Sequence, residues 1–216
     1  MRKTKFDNGQ FYHIFNRGVD KREIFSDQDD WRRFFQSMCE FNTLNPIGSI
    51  YEKTLGGRAS KNLKKPKKEK KLVNFVCYCL NPNHYHFILE QVSDRGIEKF
   101  IHRLATGYTR YFNDRHKRSG VLFQGKFKAV HIKTNEYLLH LSAYVNLNYK
   151  VHNLGGSASK RVMSSWDEYV GKNKNGFCKK DMVFGQLRSK DEYKEYAENV
   201  LVGMLERKEM LKDLEE

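Results

Sequence analysis

His84 and His86 stand one residue apart in NPNHYHFILE, residues 81–90. Imidazole nitrogens bind divalent metals, and residues i and i+2 of a strand project from one face, so the pair could chelate one ion. The competing reading is a pair of packed side chains. Two imidazoles leave a divalent ion most of its positions open, for a third protein ligand and for water or a substrate phosphate. TNEYLLHLSAYVNLNYK, residues 134–150, offers that ligand in Asn148, whose side-chain carbonyl is a hard oxygen donor, with Tyr144 one helical turn before it. A tyrosine beside a cation points to covalent attack on phosphorus. An isolated helical tyrosine is more often a packed aromatic.

Cys77 and Cys79 precede the histidines as C-x-C, a possible zinc pairing. Structural zinc sites usually space their cysteines by two to four residues, and VCYCL reads as a strand, so reduced core thiols are expected. The four cysteines in 216 residues do not form a disulfide framework.

The elements that must position these groups are legible in the hydrophobic periods. QFYHIFNR, residues 10–17, is a first strand, and Gly18 lets the chain turn. DQDDWRRFFQSMCEFN opens with acidic residues suited to a helix start and sets Trp31, Phe34, Phe35, Met38 and Phe41 at helical spacing. KLVNFVCYCL and HYHFILEQV are two strands joined through NPN, with His84, His86, Ile88 and Glu90 on one face and Tyr85, Phe87 and Leu89 on the other. A second helix carries Ile97, Phe100, Ile101, Leu104, Tyr108 and Tyr111 on its apolar stripe, with Arg103, Arg110 and Arg115 outside it. GVLFQGKFKAVHIK is a short hairpin or extended segment. Thr134 then caps a third helix, on which Tyr137, His140, Tyr144 and Asn148 share a meridian at about 100° per residue. Tyr108, Tyr111 and Tyr137 are alternative nucleophiles, the first two better suited to the core.

The chain carries 40 Lys and Arg against 26 Asp and Glu, a formal charge of +14. This excess suits a polyanion, although solvated surface explains part of it. GGRASKNLKKPKKEKK, residues 56–71, holds eight Lys and Arg against one Glu, cannot bury a core, and reads as a mobile basic loop. Its Lys64, Lys65, Lys67 and Lys68 are candidate phosphate contacts, as are Arg17, Arg110, Arg115, Lys117, Arg118, Lys126 and Lys128. Trp166 in MSSWDEYVG either stacks on a base or, more simply, pins the tail. No apolar run approaches the roughly 18 residues that span a bilayer, and the first residues lack a signal-peptide core, so a cytoplasmic, nucleoid-associated chain is expected, with no membrane partner.

FYHIFNRGVDKREIF, NPNHYHFILE, YFNDRHKRSGVLFQGKFKAVHI, EYLLHLSAYVNLN and MSSWDEYVG, in that order, resemble the REP-associated tyrosine transposases and their insertion-sequence relatives, single-tyrosine nucleases of the HUH type. The resemblance implies an α+β fold, a ferredoxin-like antiparallel sheet with packed helices. It assigns the nucleophile to Tyr144 and the metal ligands, for Mg²⁺ or Mn²⁺, to His84, His86 and Asn148. The implied organisation is a catalytic domain over residues 1–155, containing the basic loop, and a C-terminal extension over 156–216 packed on the core. Two positions depart from the pattern. The residue between the histidines is Tyr85, and the Asn-Pro that commonly ends the helix is Asn148-Tyr149.

The implied activity is metal-dependent cleavage and rejoining of single-stranded DNA near a hairpin through a phosphotyrosine, by a monomer or a homodimer. A hairpin-binding regulator domesticated by the host, with little or no cleavage, is the alternative from another class. A replication-initiator nuclease is disfavoured, because no G-x-x-x-x-G-K-[ST] motif occurs.

Overall fold

A computed structural model describes residues 4–50, 70–152, 162–173 and 176–213. Strands β1 (Phe11–Arg17), β2 (Val73–Asn81), β3 (His84–Gln91), β4 (Lys128–Ile132) and β5 (Met163–Ser164) form one antiparallel sheet in the order β4-β1-β3-β2-β5. Helices α1 (Gln28–Glu40), α2 (Gly96–Arg115) and α3 (Asn135–Val151) complete the core. The first four strands with α1 and α2 run βαββαβ in the ferredoxin-like order. Beyond β5 come two single turns, α4 (Trp166–Tyr169) and α5 (Asp181–Phe184), and the long α6 (Lys190–Asp213).

Alternation along β3 divides the sheet into two chemically different faces. Tyr85, Phe87 and Leu89 point toward α1 and α2, where Phe34, Phe75, Phe100 and Tyr108 close an aromatic core. Each such buried side chain contributes about 1.5–3 kcal/mol relative to exposure. His86 points to the opposite face, against His13, Phe15 and Tyr144. α1 forms as its sequence predicts: the Asp27 carboxylate caps it by accepting from the backbone N–H groups of Asp29 and Asp30.

A bulge in β2 decides which of its residues reach the histidine face. Phe75 pairs with Leu89 but Cys77 pairs with Ile88, so one extra residue resets the alternation. From there Cys77, Cys79 and Asn81 share the histidine face, and Asn81 stands directly opposite His84. Both thiols are buried and unbridged, and burial holds Cys77 well above its ordinary value and Cys79 up at about 12. They are core thiols, as expected.

Of the two forms expected for the segment before β4, it takes the extended one: only residues 128–132 form a strand, pairing with β1 at the sheet edge. Gly18 has φ −62°, an ordinary extended value, and is required by close approach, because a Cβ there would lie 2.2 Å from the Arg22 carbonyl oxygen. α3 spans Asn135–Val151, in keeping with the helix expected over residues 134–150 and with the absence of proline after Asn148.

The C-terminal segment is fastened to α3 and β2 by a buried polar chain. Asn146 donates to Tyr193 Oη at 2.8 Å and accepts from Ser165 Oγ at 2.6 Å, while the Tyr78 amide donates to Ser165 Oγ at 2.9 Å. Ser142 Oγ lies 3.0 Å from the same Tyr193 hydroxyl. Trp166 is buried beside Tyr193, a packing that pins this segment. Among the described residues no helix is long and apolar enough to cross a membrane.

Candidate active site

β3 presents His84 and His86 on one face, β1 brings His13 from alongside, and α3 crosses that face with Tyr144 and Asn148. The capping expected at Thr134 is present: its side chain accepts from the Tyr137 amide at 3.2 Å. From that start the polar meridian of α3 runs from solvent inward. Tyr137 and His140 are exposed, Tyr144 is half-buried, and Asn148 is buried.

His84 Nε2 and Asn148 Oδ1 lie 3.2 Å apart. Neighbouring ligands of an ion bound at about 2.1–2.3 Å sit at about that separation. His84 Nδ1 is 2.6 Å from Asn83 Oδ1, an acceptor, so Nδ1 carries the proton and Nε2 keeps its lone pair. The Asn81 amide nitrogen lies 2.7 Å from both His84 Nε2 and Asn148 Oδ1, donating to the two atoms expected to hold a cation. Asn148 Nδ2 is buried without a hydrogen-bond partner. Among the described residues no three His, Cys, Asp or Glu side chains converge on a metal position, so an ion here would rest on imidazole and amide donors.

Burial keeps these imidazoles neutral. His84 is pulled down to about 4 and His86 well below its ordinary value, in both cases chiefly by loss of solvent. A neutral imidazole is the form that binds metal. His86 Nδ1 is 2.9 Å from His13 Nε2, and burial takes His13 down to about 4 as well. The Tyr144 ring stands edge-on to His86 with centroids 5.8 Å apart. Burial raises the Tyr144 phenol, while the nearby Asn148 amide pulls it down.

Beside the histidines opens a cleft of about 950 Å³, lined among others by Phe15, Asn16, Arg17, Lys21, Asn83, Gln124, Lys128 and His152. Two of the expected cationic contacts, Arg17 and Lys128, belong to it, and Lys126 is exposed two residues from Lys128. Arg17 bonds to Gln124, and the Lys128 ammonium lies 5.9 Å from the Phe15 ring centroid. Arg110 and Lys117 are exposed but do not line the cleft.

Arg115 and Arg118 are occupied within the fold. Arg115 bonds to Asp27 at 2.8 Å and to Asp30, whose side chain is fully buried, at 2.7 Å, so it ties α2 to α1. Arg118 bonds to Asn113 Oδ1 at 3.0 Å and lies over the Phe112 ring. Of the alternative tyrosines, Tyr108 is buried and donates to the Ile24 carbonyl at 2.6 Å, Tyr111 packs beside it, and Tyr137 is exposed two turns before Tyr144 on α3. Lys64, Lys65, Lys67 and Lys68 lie outside the described residues.

His13, Asn81, Asn83, Gln124 and His152 belong to the site without having been singled out in the sequence. Asn81 and Asn83 read as turn formers in NPN. His13 shares the alternation of β1, but which face that is depends on its pairing with β3.

Residues 49–148 match the family model described as "Transposase IS200 like", and His84, His86, Tyr144 and Asn148 all lie in the matched span. The fold is similar to that of a REP-associated tyrosine transposase solved bound to a REP hairpin, with a TM-score of 0.55 and 11% identity over 84% of this chain and 89% of that one. No curated protein sequence matches the chain. The matched span holds three of the five ordered blocks, those around His84, Arg115 and Tyr144, and the structural likeness supports the ferredoxin-like α+β architecture.

Proposed function

From this likeness to IS200-like transposases we propose that the chain is a DNA transposase that cleaves and rejoins single-stranded DNA beside a hairpin. The observation that carries the reading is one chain bringing Tyr144 against His86, and Asn148 Oδ1 within 3.2 Å of His84 Nε2, at the edge of a cation-lined cleft. His84, His86 and Asn148 would hold Mg²⁺ or Mn²⁺, which when bound supplies positive charge to a non-bridging phosphate oxygen. Arg17 and Lys128 hold the backbone by charge and leave sequence unread.

Tyr144 Oη attacks phosphorus in line, the P–Oη bond forms, and the bond to the 3′ oxygen breaks. The phenolic proton is lost and the departing oxygen takes one up, so the step is balanced and leaves a free 3′-hydroxyl. One ester replaces another, and the 3′-hydroxyl can reverse the step without an energy source. The hairpin bound by the structurally similar transposase supports a hairpin DNA partner for this chain.

The test is a denaturing gel of the protein with labelled single-stranded hairpin oligonucleotides and Mg²⁺ or Mn²⁺. A covalent adduct is expected with the wild type and none with Tyr144→Phe. His84→Ala with His86→Ala should stop cleavage but keep most hairpin affinity, because the basic surface supplies most of the attraction. Tight binding with no adduct under any metal would favour the domesticated hairpin-binding regulator.

A further inference from the structure

Asn81 aims its amide N–H groups into the space that a cation held by His84 and Asn148 would claim. It is fully buried at the end of β2, brought onto the histidine face by the bulge before Cys77. Its amide nitrogen donates to His84 Nε2 and Asn148 Oδ1, each at 2.7 Å. Those two atoms have only lone pairs to offer, since the His84 proton is on Nδ1, against Asn83 Oδ1 at 2.6 Å. Two acceptors held 3.2 Å apart in a buried site need a positive partner, and in the free protein the Asn81 N–H groups serve.

The other end of the same amide is almost unused. Among the described residues Asn81 Oδ1 receives only the Cys79 thiol at 3.6 Å, a weak donor. Exchanging the ends of the amide by rotation about its terminal bond would give up that weak interaction. It would bring a hard oxygen to the place where the nitrogen now stands, within ligand-to-ligand distance of His84 Nε2 and Asn148 Oδ1. With a cation present the rotated form is favoured, because an N–H donor facing the ion is repelled and a carbonyl oxygen is attracted.

We propose that Asn81 is a fourth metal ligand of this site, directing its amide N–H groups at His84 Nε2 and Asn148 Oδ1 in the free protein and turning its Oδ1 to the bound ion. The inference rests on the metal-dependent reading above and adds a residue of this chain to it. A set of two imidazoles and two amide oxygens carries no negative charge. It leaves the ion's full charge for the phosphate and suits Mn²⁺ or Mg²⁺, which tolerate neutral oxygen donors, over thiolate-seeking metals.

The experiment is titration of the DNA-free protein with Mn²⁺ alone, following free Mn²⁺ by electron paramagnetic resonance, with thermal midpoints taken in parallel. Asn81→Ala should weaken Mn²⁺ binding by about 10-fold or more. Asn81→Asp keeps the shape, offers only acceptor oxygens and adds charge, so it should bind Mn²⁺ more tightly than the wild type and show the larger metal-induced rise in midpoint. If Asn81→Ala does not fold, the comparison of Asn81→Asp with the wild type decides alone. Wild-type affinity in Asn81→Ala, or affinity in Asn81→Asp no higher than the wild type's, overturns the inference. His84→Ala separates the two readings. If it loses Mn²⁺ while Asn81→Ala keeps it, only the role of Asn81 falls; a wild type that binds no Mn²⁺ removes the metal site itself.

Discussion

His13 Nε2 lies 2.9 Å from His86 Nδ1, joining two neighbouring strands through one proton shared between neutral rings. When His86 Nδ1–H donates and His13 Nε2 accepts, Nε2 of His86 keeps its lone pair, the arrangement the proposed metal site requires. Replacing His13 with Phe keeps an aromatic ring and removes the hydrogen bond, and should weaken Mn²⁺ binding by about 10-fold. His13→Gln, which can still bond to Nδ1, should recover part of the loss. Equal affinity in the wild type and His13→Phe would reduce His13 to packing.

The Tyr193 hydroxyl is the meeting point of Ser142 and Asn146 on the tyrosine helix. Tyr193→Phe leaves both without that partner in a buried setting, a loss of about 1–3 kcal/mol. Thermal unfolding should register a fall of roughly 3–10 °C for a chain of this size. An unchanged midpoint would show that α6 is not an anchor for α3.

Arg115 holds the Asp27 carboxyl down at about 2 by direct hydrogen bonding. A depressed carboxyl adds stability above its unfolded value of about 3.9, and the contribution disappears as pH falls toward 2. Arg115→Ala should therefore lower the midpoint at neutral pH, with the gap to the wild type closing between pH about 4 and about 2. Hairpin affinity at neutral pH should stay close to wild type, because this guanidinium is engaged by Asp27 and Asp30. A large loss of affinity with no loss of stability would return Arg115 to the DNA.

For the basic stretch 56–71, replacing Lys64, Lys65, Lys67 and Lys68 with Ala should weaken all single-stranded substrates alike. The log–log dependence of affinity on salt should flatten by roughly 0.7 for each phosphate that is no longer neutralised by a lysine. Preference among hairpins should survive, since charges on the DNA backbone carry no sequence information. Filter binding across a salt series reads both, and an unaltered slope would assign these lysines to solvent.

Local periodicity determined much of this protein without help from the fold. The two-residue repeat of β3 puts His84 and His86 on one face, the helical repeat sets Tyr144 one turn before Asn148, and Thr134 starts that helix where its side chain can cap it. These are properties of neighbouring residues, and short-range geometry suffices to read them. Tertiary structure alone decided what stands across from them. His13 meets His86 over 73 residues of separation, and Asn81 faces His84 because a bulge resets the alternation of β2. Arg115, which the helical pattern left outside the apolar stripe, found Asp27 and Asp30 on another helix. Strand register and ion pairing are settled by interactions between segments far apart in the chain, and no periodicity within a segment encodes its partner.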